Sequence, residues 1–329
     1  MPQVPASALT TTKLDTQPTG ARFSGGEPLW LTVARPVKLE AAPAAGRERT
    51  MTVLQRVSRL ARMATARFNI AHECVNTNLY HCCIQKSGSQ WIKQVLQDPT
   101  VFRCCGLSVH DPGRNFIKPG RYPQLTCGFA DRRIVSPLYI TYHDFAAMPK
   151  PQTYKAFWVM RDPRDVVCSK YFSVRYSHPM INDGMARLRN KLRDASKEDG
   201  LMHFIRAMGR QQSPQVICMR SWINEVADPL VLLLRYEDLI GPDQHGAFRT
   251  LFNHLDIPIP DERLQQVLRR YRFESLAGHQ QGVEDTSCHY RKGVAGDWRN
   301  HFHAPHKQAF KQATGSLLAD LGYESDPHW

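Results

Sequence analysis

No apolar run in this sequence approaches the roughly 20 residues that a membrane span needs, and the first residues lack the charged-then-apolar order of a secretory signal. The location these absences imply is cytoplasmic. The CxxC spacing of a zinc site is missing as well. Nine cysteines, an odd number that includes the adjacent pairs Cys82/Cys83 and Cys104/Cys105, match no disulfide framework, so the thiols are expected to be reduced and mostly buried. There is no internal repeat, no zinc-finger or RNP signature, and no GxxxxGK(S/T) loop of the kind that holds a magnesium nucleotide. A P-loop kinase and a nucleic-acid-binding protein lose their main support with these.

What is present is enough for a sizeable core: 329 residues, 42% of them hydrophobic, with six Trp and fourteen Phe. Lys and Arg number 43 against 30 Asp and Glu, and the resulting +13 attracts polyanions such as nucleotides, sulfated glycans or acidic lipid. Residues 1–48, rich in Ala, Pro, Thr and Gly, read as a flexible leader. Residues 49–74 read as a basic amphipathic helix, with Met51, Leu54, Val57 and Leu60 at helical spacing and Arg56, Arg59 and Arg62 between them. Packing on the domain is the expected role of that helix, with weak peripheral membrane contact as the alternative. From 75 to 329, short apolar runs alternate with helical stretches, which predicts one α/β domain with a central, mostly parallel sheet flanked by helices. Strands are expected over 79–84, 138–142, 156–160 and 230–235, and helices over 90–97, 164–174, 201–208, 216–226, 247–255, 262–271 and 306–321.

Three stretches carry phosphate-binding chemistry. After the first strand, Gln85-Lys86-Ser87-Gly88-Ser89-Gln90-Trp91 places small residues at a helix N-terminus, where backbone amides converge on an anion. Gly88 permits close approach, Ser87 and Ser89 offer hydroxyl donors, and Lys86 supplies a mobile charge. An ordinary strand-to-helix turn is the other reading of that loop. The strand over 156–160 ends in Arg161-Asp162-Pro163-Arg164-Asp165, putting Arg161 where open α/β sheets bind ligands and Ser169 two helical turns further on. The competing reading is that Arg161 simply pairs with Asp165. Finally, Arg291-Lys292-Gly293 joins two cations to a permissive glycine and suits a terminal phosphate, unless it is only a solvated basic loop.

In this order the three stretches resemble the family of sulfotransferases that use 3'-phosphoadenosine 5'-phosphosulfate (PAPS), whose members carry a KSGTTW-like loop, an R-(D/N)-P-(K/R)-D-x-x-x-S segment and a terminal RKGxxGDW. The resemblance spans residues 78 to about 303, and the third motif is matched at every specified position, through Trp298. It implies a P-loop-like loop, Lys86 to Trp91, holding the 5'-phosphosulfate, with the Trp91 ring against the adenine. It implies that Arg161, Ser169, Arg291, Lys292 and Gly293 hold the 3'-phosphate, with Tyr236 of the Tyr236-Glu237-Asp238 segment and Phe273 near the base. The donor would be PAPS, the product adenosine 3',5'-bisphosphate, and no metal would be needed.

Sulfuryl transfer runs in line between two oxygens through a loose transition state, so positioning and electrostatics are what a protein supplies. Lys86 is the expected catalytic cation, stabilising the bridging oxygen of the leaving phosphate. His143, after the strand over 138–142, is the expected base, since an imidazole near its ordinary pKa of about 6.5 suits that proton. Two positions depart from the family: Gln90 replaces the second loop threonine, and Thr141 stands where many members have lysine. The segment after Trp298 lacks the family's dimerising residues, which leaves the oligomeric state open. A catalytically silent nucleotide-binding relative is the rival reading, opposed by the presence of Lys86 and His143. The acceptor falls to the loops around 103–133 and 175–215, where arginines such as Arg103 and Arg175 alternate with aromatics such as Phe129 and Tyr176. A small-molecule hydroxyl or amine is the first expectation and a sulfated or anionic glycan the second, with no nucleic-acid partner.

Overall fold

Strand β1 (Asn78–Cys83) is buried at all six positions, which is how a strand covered on both faces keeps an almost continuous apolar run. β2 (Ser108–His110), β3 (Arg133–Leu138), β4 (Tyr154–Met160) and β5 (Val231–Arg235) complete a five-stranded sheet in the order β2-β3-β1-β4-β5, with every pairing parallel. This computed structural model describes residues 71–113, 124–209, 213–224, 228–326 and 328–329. The leader expected over 1–48 lies outside them, as does the helix expected over 49–74 except for residues 71–74, which carry no regular structure.

Alternation along β1 and β4 feeds two cores. Tyr80, Cys82, Ala156 and Trp158 face one, where Trp158 stacks on Trp222 with ring centroids 6.0 Å apart. Leu79, Cys83, Phe157 and Val159 face the other. His81 stacks on Phe157 at 4.7 Å and meets the Ser136 hydroxyl at 2.8 Å; burial pushes its imidazole down to about 3, so it stays neutral in the sheet. None of the nine cysteines forms a disulfide, and Cys82, Cys83 and Cys105 are fully buried.

The helices that matter for the site start at strand ends. α1 (Ser89–Leu96) follows β1, and α2 (Pro99–Cys105) begins under an Asp98 cap. α3 (Tyr142–Ala147) follows β3. α4 (Pro163–Phe172) follows β4, with Pro163 in its first turn and the Asp162 carboxylate accepting from the Arg164 amide. α5 (Asp183–Asp194), α6 (Lys197–Met208) and α7 (Pro214–Asn224) come next, and α8 (Tyr236–Ile240) opens directly from β5. Because β3 lies on one side of β1 and β4 on the other, the chain changes direction across β1. The carboxyl ends of β1 and β4 therefore flank the crevice where open α/β sheets bind ligands.

The third strand departs from expectation. It occupies Arg133–Leu138 rather than 138–142, because Thr141 serves as a helix cap: its hydroxyl accepts from the Asp144 amide at 3.1 Å, starting α3. The single helix expected over 306–321 is two, Ala304–Thr314 and Leu317–Asp320, parted at Gly315, whose φ is +58°.

Candidate active site

The loop between β1 and α1 turns on two left-handed residues, Lys86 at φ +73° and Gly88 at φ +80°. For a lysine this conformation costs about 1–2 kcal/mol, and it is held by Arg161, whose Nη1 donates to the Lys86 carbonyl at 2.9 Å. Strain of this kind collects where a chain must aim a group at a ligand. Gly88 is irreplaceable on two counts, its φ and its neighbour: a Cβ there would lie 2.7 Å from the Tyr236 ring. That ring in turn carries the Arg161 guanidinium 4.4 Å from its centroid. Lys86, Gly88, Arg161 and Tyr236 thus form one contiguous surface at the ends of β1, β4 and β5.

Positive charge accumulates on that surface. Burial, then the neighbouring charges of Arg161, Lys170 and Arg291, push the Lys86 ammonium down to about 8. These four cations therefore share one electrostatic neighbourhood. Among the described residues, Lys86, Arg161 and Lys170 pair with no carboxylate, and the buried Nε of Arg161 has no hydrogen-bond partner. Such a cluster is complementary to a multiply charged anion.

The loop carrying Arg291 and Lys292 is tied to this surface from three directions. Gln94 of α1 donates to the Tyr290 hydroxyl at 2.6 Å. Asp165 of α4 accepts from the amides of Gly296 at 2.6 Å and Trp298 at 2.8 Å. The Arg164 guanidinium, ion-paired with Asp162 and Glu324, lies 3.9 Å from the Trp298 ring centroid. Asp165 is thus the loop's anchor rather than the hydrogen-bonded partner of Arg161. Within the loop, Asp297 collects Arg291, Lys292, Asn300 and His301. Burial alone raises its pKa, but hydrogen bonds from His301, Lys292, Asn300 and Arg291 outweigh that and hold its carboxyl well below the usual range. Arg291 also pairs with Glu284 and lies 4.1 Å from the Phe172 ring centroid. Glu284, Asp297 and His301 place potential metal-ligand atoms within 4.8 Å of one another, but the two carboxylates already neutralise Arg291 and Lys292.

The remaining expected residues divide. Phe273 packs against Gly293, at φ +69°, so closely that a Cβ on the glycine would collide with the ring. Ser169 is half-buried on α4, next to Lys170. Trp91 is buried, its Nε1 donating to the Tyr271 carbonyl at 2.8 Å and its ring edge-on to Phe248 and Tyr236. The Ser87 hydroxyl is not a free donor: it is buried and donates to the Ile84 carbonyl at 2.8 Å, closing its own loop. Ser89 and Gln90 engage the Tyr139 phenol, with Ser89 Oγ at 2.9 Å. His143 is exposed in the first turn of α3, not at a strand end, and Tyr142 before it packs on Trp222 at 5.2 Å.

The model of the sulfotransferase domain matches residues 79–322. This chain belongs to the sulfotransferase domain family. Sulfotransferase 2B1 of Mus musculus is 27% identical over 171 residues, 47% of this chain and 45% of that protein. The 3-alpha-hydroxysteroid sulfotransferase of Cavia porcellus is 24% identical over 257 residues, 71% and 81% of the two chains. The first of these alignments thus spans about half the relative's length. Among solved structures, mouse sulfotransferase SULT7A1 complexed with PAP shares the fold, with a TM-score of 0.54 at 17% identity over 82% of this chain and 93% of that one.

Within this sulfotransferase domain, Asp165, Glu237 and Asp297 have structural roles that the motif cations obscure. Glu237 accepts from the Asp162 amide and the Tyr323 hydroxyl, both at 2.9 Å, buttressing the turn after β4. All three are buried or half-buried acids beside motif cations, and that juxtaposition was the available signal. Lys170 had none beyond its place after Ser169.

Proposed function

We propose that this chain transfers the sulfuryl group of PAPS to a hydroxyl or amine of a small-molecule acceptor, releasing adenosine 3',5'-bisphosphate. The convergence of Lys86, Arg161 and Arg291 on one surface carries the reading, since three separated segments there supply more positive charge than the local carboxylates neutralise. The unpartnered Arg161 Nε and the backbone of the Lys86–Gly88 turn suit a phosphate ester at each end of one nucleotide.

In this mechanism the acceptor oxygen forms a bond to sulfur as the bond from sulfur to the bridging phosphate oxygen breaks. Lys86 stabilises the charge that builds on that leaving oxygen, and the acceptor's proton passes to His143. Arg161, Ser169, Arg291, Lys292 and Gly293 hold the 3'-phosphate, while Trp91, Tyr236 and Phe273 flank the base. The reading is metal-free, because a singly charged sulfuryl group asks for less neutralisation than a phosphoryl group. Nine cysteines that form no disulfide suit a reducing, cytoplasmic setting.

Incubating the pure protein with PAPS and a panel of alcohols, phenols, amines and sugars tests this. A mass gain of one sulfuryl group on an acceptor is expected. Tight PAP binding with no transfer to any of the panel would instead favour a silent nucleotide-binding relative.

A further inference from the structure

Beside the cation cluster, a cavity of about 200 Å³ opens between α4, α6 and α7, lined by Gln85, Val167, Lys170, Phe204, Met208 and Gln215 among others. Its apolar wall is well packed: Val167, Phe204 and Met208 are all buried. Its polar wall is incomplete. The Lys170 ammonium donates to Gln215 Oε1 at 3.3 Å, which leaves the Gln215 amide nitrogen buried with no partner among the described residues. Gln215 is only 5% exposed, so solvent does not readily satisfy it. Lys170 likewise meets no carboxylate among the described residues, and burial lowers its pKa. Gln85 on the cavity wall immediately precedes Lys86 in the chain, and Lys170, which also lines the cavity, is close enough to Lys86 to add to the lowering of its pKa by burial.

We propose that this cavity is an acceptor subsite for an apolar molecule carrying a carboxylate. An ammonium and an amide N–H set side by side are two donors with one shortfall, an anion with two oxygens. A carboxylate answers both, one oxygen to Lys170 and the other to Gln215, whereas a neutral hydroxyl answers one. Val167, Phe204 and Met208 then cover the hydrocarbon part. The orientation directs the rest of the molecule toward Lys86, and in this the inference rests on the sulfotransferase reading above.

Calorimetric titration of the full chain saturated with PAP, using 3-phenylpropanoate and 3-phenylpropan-1-ol as probes, decides it. The carboxylate is expected to bind at least tenfold more tightly than the alcohol, as charge-assisted hydrogen bonds require. Lys170→Met and Gln215→Leu should each erase that preference, and Gln215→Glu, which keeps the side chain's size, should reverse it. Equal or tighter binding of the alcohol, no binding of either probe, or a preference that survives all three substitutions overturns the subsite. Titration of PAP itself separates the two readings. If PAP binds and the carboxylate does not, the subsite fails and the donor site stands. If PAP does not bind, the donor reading fails, and the same probe comparison on the free protein still decides the cavity.

Discussion

On the Arg291 side of the Lys86 turn, Arg291 and Lys292 are roped to Asp297, and Arg164 to Asp162 and Glu324; on the α6 and α7 side, Lys170 meets a single amide among apolar walls. The first side is over-determined, with Asp165, Glu237 and Asp297 each fixing two or more partners. Such redundancy suits a site that must hold the same anion in the same pose at every turnover. The second side is set by very few polar atoms. Changing one of them alters which molecule fits without disturbing the scaffold.

The sharpest way to break this comparison is Lys86→Ala, since Lys86 stands at the junction of the two sides. Transfer is expected to fall about 10²–10³-fold, the scale for losing one preorganised group that stabilises transition-state charge. PAP binding should weaken far less, because Arg161 and the loop amides remain. Steady-state kinetics beside calorimetry reads both, and a wild-type rate would remove Lys86 from the mechanism.

Legibility in the sequence follows the same division. The residues that meet around the Lys86 turn were readable because they sit in contiguous strings: a glycine that must be glycine beside Tyr236, an arginine just past the end of β4, two cations before Gly293. Three of the five strands, β1, β4 and β5, were readable from their apolar runs, whereas β3 was misplaced because Tyr139, Ile140 and Tyr142 carry the apolar pattern on through the Thr141 cap. The three-residue edge strand β2 gave no period to detect. What escaped was every relation between distant positions. Nothing in the string Asp162-Pro163-Arg164-Asp165 says that the last carboxylate accepts from amides 131 and 133 residues away, or that Lys170 faces Gln215 on another helix.

Cutting the anchor on the over-determined side comes next in size. Asp165→Ala leaves the Gly296 and Trp298 amides without their acceptor, a loss of about 1–3 kcal/mol that should appear as a lower melting temperature. The loop bearing Arg291 and Lys292 loses its hydrogen bonds to α4 at the same time and keeps ring contacts, Arg164 with Trp298 and Arg291 with Phe172. PAP affinity should therefore fall about tenfold while 3-phenylpropanoate binding to the free protein changes little. Equal loss on both sides would show that the two are not separately built.

A pH titration sharpens the contrast without a substitution. Lys86, lowered to about 8 in the free protein, is half neutral at that pH, and binding an anion beside it draws the proton back. PAP affinity should be flat between about pH 7 and 8, where the phosphate monoesters stay ionised, and decline above that range, by up to tenfold per unit, with proton uptake on binding. Stability moves in the opposite sense: between about 8 and the ordinary lysine value near 10.4 the unfolded chain holds the extra proton, so this residue's contribution to stability rises with pH. Lys86→Ala should abolish both slopes, and slopes that persist would assign them to another group.

The smallest effect is expected at a residue that the motif places in the middle of the phosphate loop. Ser87 would be a ligand donor if position alone decided, yet its buried hydroxyl already donates to the Ile84 carbonyl 2.8 Å away. Ser87→Ala should therefore cost about 1 kcal/mol of stability, the net worth of one neutral hydrogen bond, with PAP affinity and turnover each within about twofold once the folded fraction is matched. The backbone amide at 87 survives the substitution, and in the proposed mechanism such amides and Lys86 are what grip the anion. A tenfold loss of PAP affinity in a variant that melts normally would mean that the hydroxyl rotates to the ligand when it binds, and the closed loop would then be a resting arrangement that the donor reopens.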